Sequence, residues 1–350
     1  MPRVARRRPG DQNSATNDDP ARTVTRSRYR ARVIQDFRHD ALTTFHGLPI
    51  FSFVFNDAAA LEPNGVPEDV EAWAWRVGAD EYDNADGEEI WPVFLETVDT
   101  TRVRALTLAA WDSEVSGEDW DKYTEAVIDA ADRFPNLEAL FVADVPSEMT
   151  EVSWIEQVDP GPLLDAFPNL VELGVRGGPP PDTEPLVHER LRELTIQTGG
   201  LPPRVVRAVG RSKLPALTSL DLYLGTEMYE GGADAEDLAD ILSGAAFPAL
   251  RHLGLRNAED TDTLAALLAH APVVARLESL DLALGVLTDE GAAALLAGQP
   301  LNHLRRLDLH HHWMSEAMIE RLWQALPDTD INVDEALLGR NRTRFIAVSE

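Results

Sequence analysis

The sequence predicts an α/β solenoid: a curved parallel sheet on the concave side, helices on the convex side, and about ten strand units. Three observations lead there. An apolar–any–apolar motif recurs at Trp75/Val77, Leu106/Leu108, Leu140/Val142, Leu173/Val175, Leu194/Ile196, Leu220/Leu222, Leu253/Leu255, Leu280/Leu282, Leu307/Leu309 and Ile331/Val333. Successive copies are 21 to 34 residues apart, and self-similarity at such periods marks stacked units that bury an apolar face only against their neighbours. Helical periodicity fills most of the intervals. Strands pair about 4.8 Å apart whereas helices pack at roughly 8–10 Å, so the strands must line the inside of an arc.

The elements follow in order. Residues 1–40 hold ten arginines and no packed-core pattern, which predicts a disordered arginine-rich tail. Residues 41–101 read as an N-terminal cap, with PIFSFVF (49–55) an extra strand. Trp73, Trp75 and Val77 alternate on one strand face and are expected to seal the first open end of the core, while Trp111, just after a strand, could be an exposed anchor. The array itself spans 102–335. Its predicted helices are 118–134, 236–246, 263–270, 288–297 and 315–326, with Thr288 and Ser315 as N-caps followed by acids that suit the helix dipole. The step from Val175 to Leu194 leaves no room for a full helix, and Pro179-Pro180-Pro181 enforces an extended connection. Residues 336–350 are expected to form a C-terminal tail, or an edge in which Phe345–Val348 docks back.

Composition narrows the function classes. Sixty acidic against 31 basic residues give a net charge of −29, unfavourable for coating polyphosphate; nucleic-acid binding is expected only through the 1–40 tail. There is no cysteine, hence no disulfide, thiolate metal site or cysteine nucleophile. No apolar run approaches the roughly 18 residues of a membrane span. GxSxG, HExxH, Walker and GxGxxG motifs are absent, and Lys122 and Lys213 are the only lysines. A cytoplasmic, non-catalytic protein without cofactor or metal is the expectation.

LESLDLALGVLTDEGAAALL (277–296) resembles the ribonuclease-inhibitor-like subclass of leucine-rich repeats, over about residues 70–335. TTFHGLPIF (43–51), WRVGADEYD (75–83), RFPNLEALF (133–141), GLPPRVVRAV (200–209), PALRHLGLRN (248–257) and FIAVSE (345–350) are similar to a bacterial leucine-rich-repeat family named by locus tag, of uncharacterised function. Relatives in that family begin near the position of Leu42 and are often encoded beside radical-SAM and ATP-grasp enzymes, which implies a pathway association rather than an activity. The repeat consensus places Asn or Cys at a ninth position; here that position holds Gly178, Gly199, Gly225 and Gly285, or Val145, Ala258 and His312. Glycine permits a tight turn but supplies no side-chain hydrogen bond, so a less regular stack is expected.

Strand alternation turns the leucines into the core and the residues between them onto the concave sheet. Arg176, Gln197, Tyr223, His252, Arg256, Arg306 and His310 then share one face and are the expected partner-binding column, for a carboxylate-bearing or peptide partner, because arginine offers a bidentate fork and tyrosine a rigid amphipathic surface. The bland reading of the same residues is a solvated face with cross-strand pairs such as Arg256 with Asp221 or Asp281. Asp281 and Asp308 should be neighbours in one column, where paired carboxylates can do acid–base work. With His310 they carry the alternative reading, an enzyme or metal-dependent accessory subunit. His310-His311-His312 invites a metal, but at most two of three consecutive strand side chains share a side. Acids crowd the loops leaving the strands, among them Glu227, Glu230, Asp234, Asp237, Asp260 and Asp262. They read as helix N-terminal charge, or as a rim that steers a basic partner.

Overall fold

All ten apolar pairs lie on a strand or at its end, and the strands stand side by side in chain order. The structure, a computed structural model, describes residues 40–57, 62–63, 65–78, 87–110, 120–155, 159–177, 183–337 and 343–349, all within one compact unit. Residues 1–39, Trp111 and the proline run lie outside the described residues.

The chain enters through β1 (Thr44–Phe45) and β2 (Leu48–Phe53), followed by a small hairpin of β3 (Phe55–Asp57) and β4 (Glu62–Pro63). The ladder continues through β5 (Ala74–Val77), β6 (Ala105–Leu108), β7 (Ala139–Val142), β8 (Glu172–Arg176), β9 (Glu193–Gln197) and β10 (Ser219–Gly225). It ends with β11 (His252–Ala258), β12 (Ser279–Asp281), β13 (Arg306–Asp308) and β14 (Asp330–Asn332). The sheet order is β1-β2-β5-β6-β7-β8-β9-β10-β11-β12-β13-β14, and every pairing from β2 to β14 is parallel. Register is kept throughout: Leu194, Leu220, Leu253, Leu280 and Leu307 face one another in turn. Each is buried, and each contributes about 1.5–3 kcal/mol by leaving water.

Helices close the other side of this core. They are α1 (Gly87–Thr97), α2 (Trp120–Asp129), α3 (Pro160–Ala166), α4 (Pro203–Gly210), α5 (Ala239–Ser243), α6 (Thr261–Leu268), α7 (Asp289–Ala297) and α8 (Glu316–Ala325). Thr288 and Ser315 cap α7 and α8 as the sequence predicts. The predicted helix 236–246 contracts to α5, which left-handed Gly244 terminates. Helices α3 and α4 escape the sequence reading because they are short and open on proline, tolerated where the first N–H has no helical partner anyway. Between β8 and β9 the described residues 183–192 hold no helix, as the short step requires.

One expectation is corrected. Trp75 does not seal an open end: β2 and β1 lie beyond it, and its ring packs inside the core, 5.1 Å from Phe51 and 5.8 Å from Phe94. Among the described ninth-position glycines Gly225 is left-handed (φ 68°), while in the last four repeats the left-handed residue stands one place earlier and is Asn257, Leu284, His311 or Glu335. Gly285 is required by proximity instead, since a Cβ there would lie 2.2 Å from Thr261 Oγ1. That hydroxyl donates to Ala258 O and accepts from Val286 N, so it does what the consensus side chain does.

Candidate functional site: a concave face roofed from both ends

The register builds three columns on the face opposite the helices. The middle column runs Arg76, Thr107, Phe141, Gly174, Thr195, Asp221, Gly254, Asp281, Asp308 and Asn332, each paired with the next. The column at the strand beginnings runs Ala74, Ala105, Ala139, Glu172, Glu193, Ser219, His252, Ser279, Arg306 and Asp330. Arg176 faces Gln197, and Tyr223 faces Arg256, in the column at the strand ends. Six of the seven expected residues therefore share one sheet face, and His310, just past β13, turns its ring to Asp308 of the middle column.

Their exposure is not what the alternation implies. Arg176, Gln197, Tyr223, Arg256 and His310 are buried; His252 and Arg306 are half-buried. The physical reason is that the chain folds both of its described ends over the face. At the first end, residues 40–48 cross β5 to β8. Phe45 meets Phe141 edge-on at 5.9 Å and packs on Ala74, Ala105 and Ala139. His46 Nδ1 lies 2.8 Å from Glu172 Oε2, and that hydrogen bond raises the imidazole pKa against the opposing effect of burial. Beneath the crossing, buried Asp144 accepts from Leu42 N (2.7 Å), Arg76 Nε (2.8 Å) and Thr107 Oγ1 (3.0 Å). Arg176 is held by Gln197 Oε1 (3.0 Å), Val145 O (2.6 Å) and Asp40 O (3.2 Å), with its guanidinium 5.5 Å from the Phe141 ring.

At the other end, residues 343–349 lie across the strand ends from β13 back toward β9. The expectation that Phe345–Val348 docks as an edge is corrected: the segment adds no strand to the sheet. Instead Ala347 N donates to Leu284 O, Val348 packs with Tyr223, Ala283, Leu284 and Val152, and Ser349 O accepts from Ser153 Oγ. Tyr223 is thus a floor beneath the segment, and Arg256 lies 5.2 Å from the Tyr223 ring centre.

Between these two covers a window stays accessible at the beginnings of β8 to β13. It presents Glu172, Glu193, Thr195, Ser219, His252, Ser279 and Arg306, all partly exposed. A charge network underlies it. His252 Nε2 lies 3.0 Å from Asp221 Oδ1, Arg256 Nε 3.5 Å from Asp281 Oδ1, and Arg306 Nη2 bonds Asp308. Asp308 also meets His310 Nδ1 at 2.6 Å and accepts from Asn332 at 3.2 Å. Burial opposes its ionisation, yet hydrogen bonds from His310 and Arg306 hold Asp308 well below the usual carboxylate range. Asp281, facing it across the ladder, is pushed up to about 6: burial dominates and outweighs Arg256, with the carboxylates of Asp308 and Asp221 adding to the rise. Proximity splits the pair as like charges demand. Beside the pair, Arg256 and His310 are buried, while Arg306 is half-buried and bonded to Asp308.

The histidine run divides three ways. His310 turns to Asp308. His311, left-handed at φ 58°, places Nδ1 3.1 Å from Gly285 O and its ring edge-on to Trp313 at 5.2 Å. His312 reaches Val333 O and accepts from Met314 N. Burial lowers the pKa of both His311 and His312. Among the described residues no three His, Asp or Glu side chains converge as a metal set, and no helix is long and apolar enough to cross a membrane.

Many of the rim acids are engaged locally. Asp260 caps α6, Asp234 accepts from Glu236 N and Asp237 N, and Asp262 accepts from Thr288 in the next repeat. The sequence reading missed Asp144, His46 and Asn257. The last is fully buried, and its carboxamide pairs with the Val348 backbone. Their partners lie far off in sequence, where no periodicity points.

No family model and no curated protein matches the chain. Among solved structures it is similar to the crystal structure of a Bacteroides fragilis protein, with 29% identity and a TM-score of 0.71 over 79% of this chain and 77% of that one. A leucine-rich-repeat protein of Leptospira interrogans (14% identity, 80% and 99% of the two chains, TM-score 0.20) and TLR13 in a complex with ssRNA13 (17%, 67% and 36%, TM-score 0.30) resemble it too faintly to carry an argument. The repeated strand–helix unit, the single in-register sheet and the similarity to the Bacteroides structure make the chain an α/β leucine-rich-repeat-like solenoid.

Proposed function

We propose that the protein is a non-catalytic, cytoplasmic scaffold that binds a protein or peptide partner through the window at the beginnings of β8 to β13. One observation supports this most: a strip of varied polar side chains stays partly exposed on the ladder between the cover around Phe45 and the cover around Val348. The strip is acidic at Glu172 and Glu193 and cationic at Arg306, with the His252 imidazole between them, so it favours a partner segment of opposite polarity laid across the strands. Of the seven residues nominated from sequence, His252 and Arg306 act in this reading as contact groups, and Arg176, Gln197, Tyr223, Arg256 and His310 hold the floor. The LDL-type repeats are in keeping with the ribonuclease-inhibitor-like subclass, with residues 41–101 as cap and 102–335 as array.

The test is affinity capture from the native host by wild type and by Ser219→Arg/Ser279→Arg, which fills the window without touching the core. Retention of a specific partner by wild type, reduced at least tenfold in the variant, is the expected result. Equal retention by both proteins would place the partner elsewhere and sink this reading.

A further inference from the structure

The segment over the strand ends has the marks of a bound peptide. From Phe345 to Ser349 burial alternates: Ile346 and Val348 are buried, while Phe345 is exposed and Ala347 and Ser349 are partly so. That is the pattern of an extended chain lying in a groove. Its main chain is read by fixed groups of the repeats. Val348 N donates to Asn257 Oδ1 at 3.0 Å, and Val348 O accepts from Asn257 Nδ2. Ala347 N donates to Leu284 O at 2.8 Å, and Ser349 O accepts from Ser153 Oγ at 2.9 Å. A carboxamide that satisfies both the N–H and the C=O of one residue recognises backbone whatever side chain that residue carries. Two apolar sockets then select aliphatic residues two apart: one of Val152, Tyr223, Ala283 and Leu284 for Val348, and one of Val286 and Trp313 for Ile346. The groove floor is narrow enough to require glycine, since a Cβ on Gly199 would lie 2.8 Å from Ser349 O.

With the segment displaced, the Asn257 carboxamide would offer one donor and one acceptor to the backbone of whatever enters. The site therefore favours any extended segment of the right spacing.

We propose that this groove is a second binding site, for an extended peptide segment of a partner protein bearing aliphatic residues at alternate positions, and that the chain's own Phe345–Ser349 occupies it until displaced. The site lies at the strand ends, across the sheet from the window, and stands independently of the window's role.

The experiment uses the full chain carrying Ile346→Asp and Val348→Asp, whose charges do not fit the apolar sockets, and a fluorescent peptide of residues 343–350, Thr-Arg-Phe-Ile-Ala-Val-Ser-Glu. Saturable binding at least tenfold tighter to this released variant than to wild type is expected, because the wild-type tail competes. Adding Asn257→Ala should weaken it at least tenfold again. No binding, equal binding to both proteins, or indifference to Asn257→Ala would overturn the proposal. Hydrogen exchange on wild type decides the matter should the released variant not fold. Residues 343–349 are expected to exchange at least a hundredfold faster than β11, and exchange at the same rate as β11 would show a permanent structural part.

Discussion

Asp281 is the residue on which the electrostatics of the face turn. It sits in the middle column between Gly254 and Asp308, with Arg256 Nε 3.5 Å away and Ala283 N donating to it at 2.8 Å. Its folded pKa of about 6 exceeds the ordinary 3.8 because burial outweighs the arginine. Protonated Asp281 therefore adds stability that is complete below about pH 4 and lost as pH rises through about 6. Asp281→Asn keeps the acceptor for Ala283 N and removes the charge. It should be more stable than wild type by roughly 2 kcal/mol at pH 7.5 and indistinguishable at pH 4. Thermal unfolding at the two pH values checks this, and a variant less stable at pH 7.5 would mean the Arg256 pair is worth more than the burial it costs. That Asp281 and Asp308 adjoin was legible in the LDL repeats, because a period of two fixes the column. The sign of their split was not, since it depends on Arg306, His310 and Asn332 converging on one carboxylate only.

At the scale of elements, the stack is tied by more than its leucines. Asp262, in the first turn of α6, accepts from Thr288 N (2.8 Å), Thr288 Oγ1 (2.6 Å) and Gly291 N (3.1 Å) of the next repeat. Asp289, in the first turn of α7, does the same for Ser315 N (2.7 Å) and Oγ (2.8 Å). Each helix start thus caps its successor, and both acids belong to the group that reads from sequence as helix N-terminal charge. Asp262→Ala should cost about 1–2 kcal/mol, the upper range for a lost cap, measured by urea unfolding; a loss below about 0.3 kcal/mol would mean water replaces the relay without penalty. The capping residues Thr288 and Ser315 were visible in the sequence because caps are local. Their inter-repeat partners were not, although the 26-residue spacing from Asp262 to Thr288 and from Asp289 to Ser315 repeats once and would have been a usable signal.

From residue 40 to residue 349 the described chain is a continuous ladder partly covered by its segments 40–48 and 343–349. The ladder was readable because each repeat contacts chiefly its neighbours, so a local pattern propagates along the array. The covers were not. His46 meets Glu172 across 126 residues and Asn257 meets Val348 across 91, and neither contact leaves a periodic trace. Ala139, Ser219 and Ser279 occupy equivalent places in one column and differ in what lies above them. The chain has no cysteine, so single substitutions report this without background. Thiol-labelling rates of Ala139→Cys, Ser219→Cys and Ser279→Cys in the folded protein test it most directly. The two serine positions should label at least a hundredfold faster than position 139; equal rates at all three would contradict the roofed face and the window it leaves.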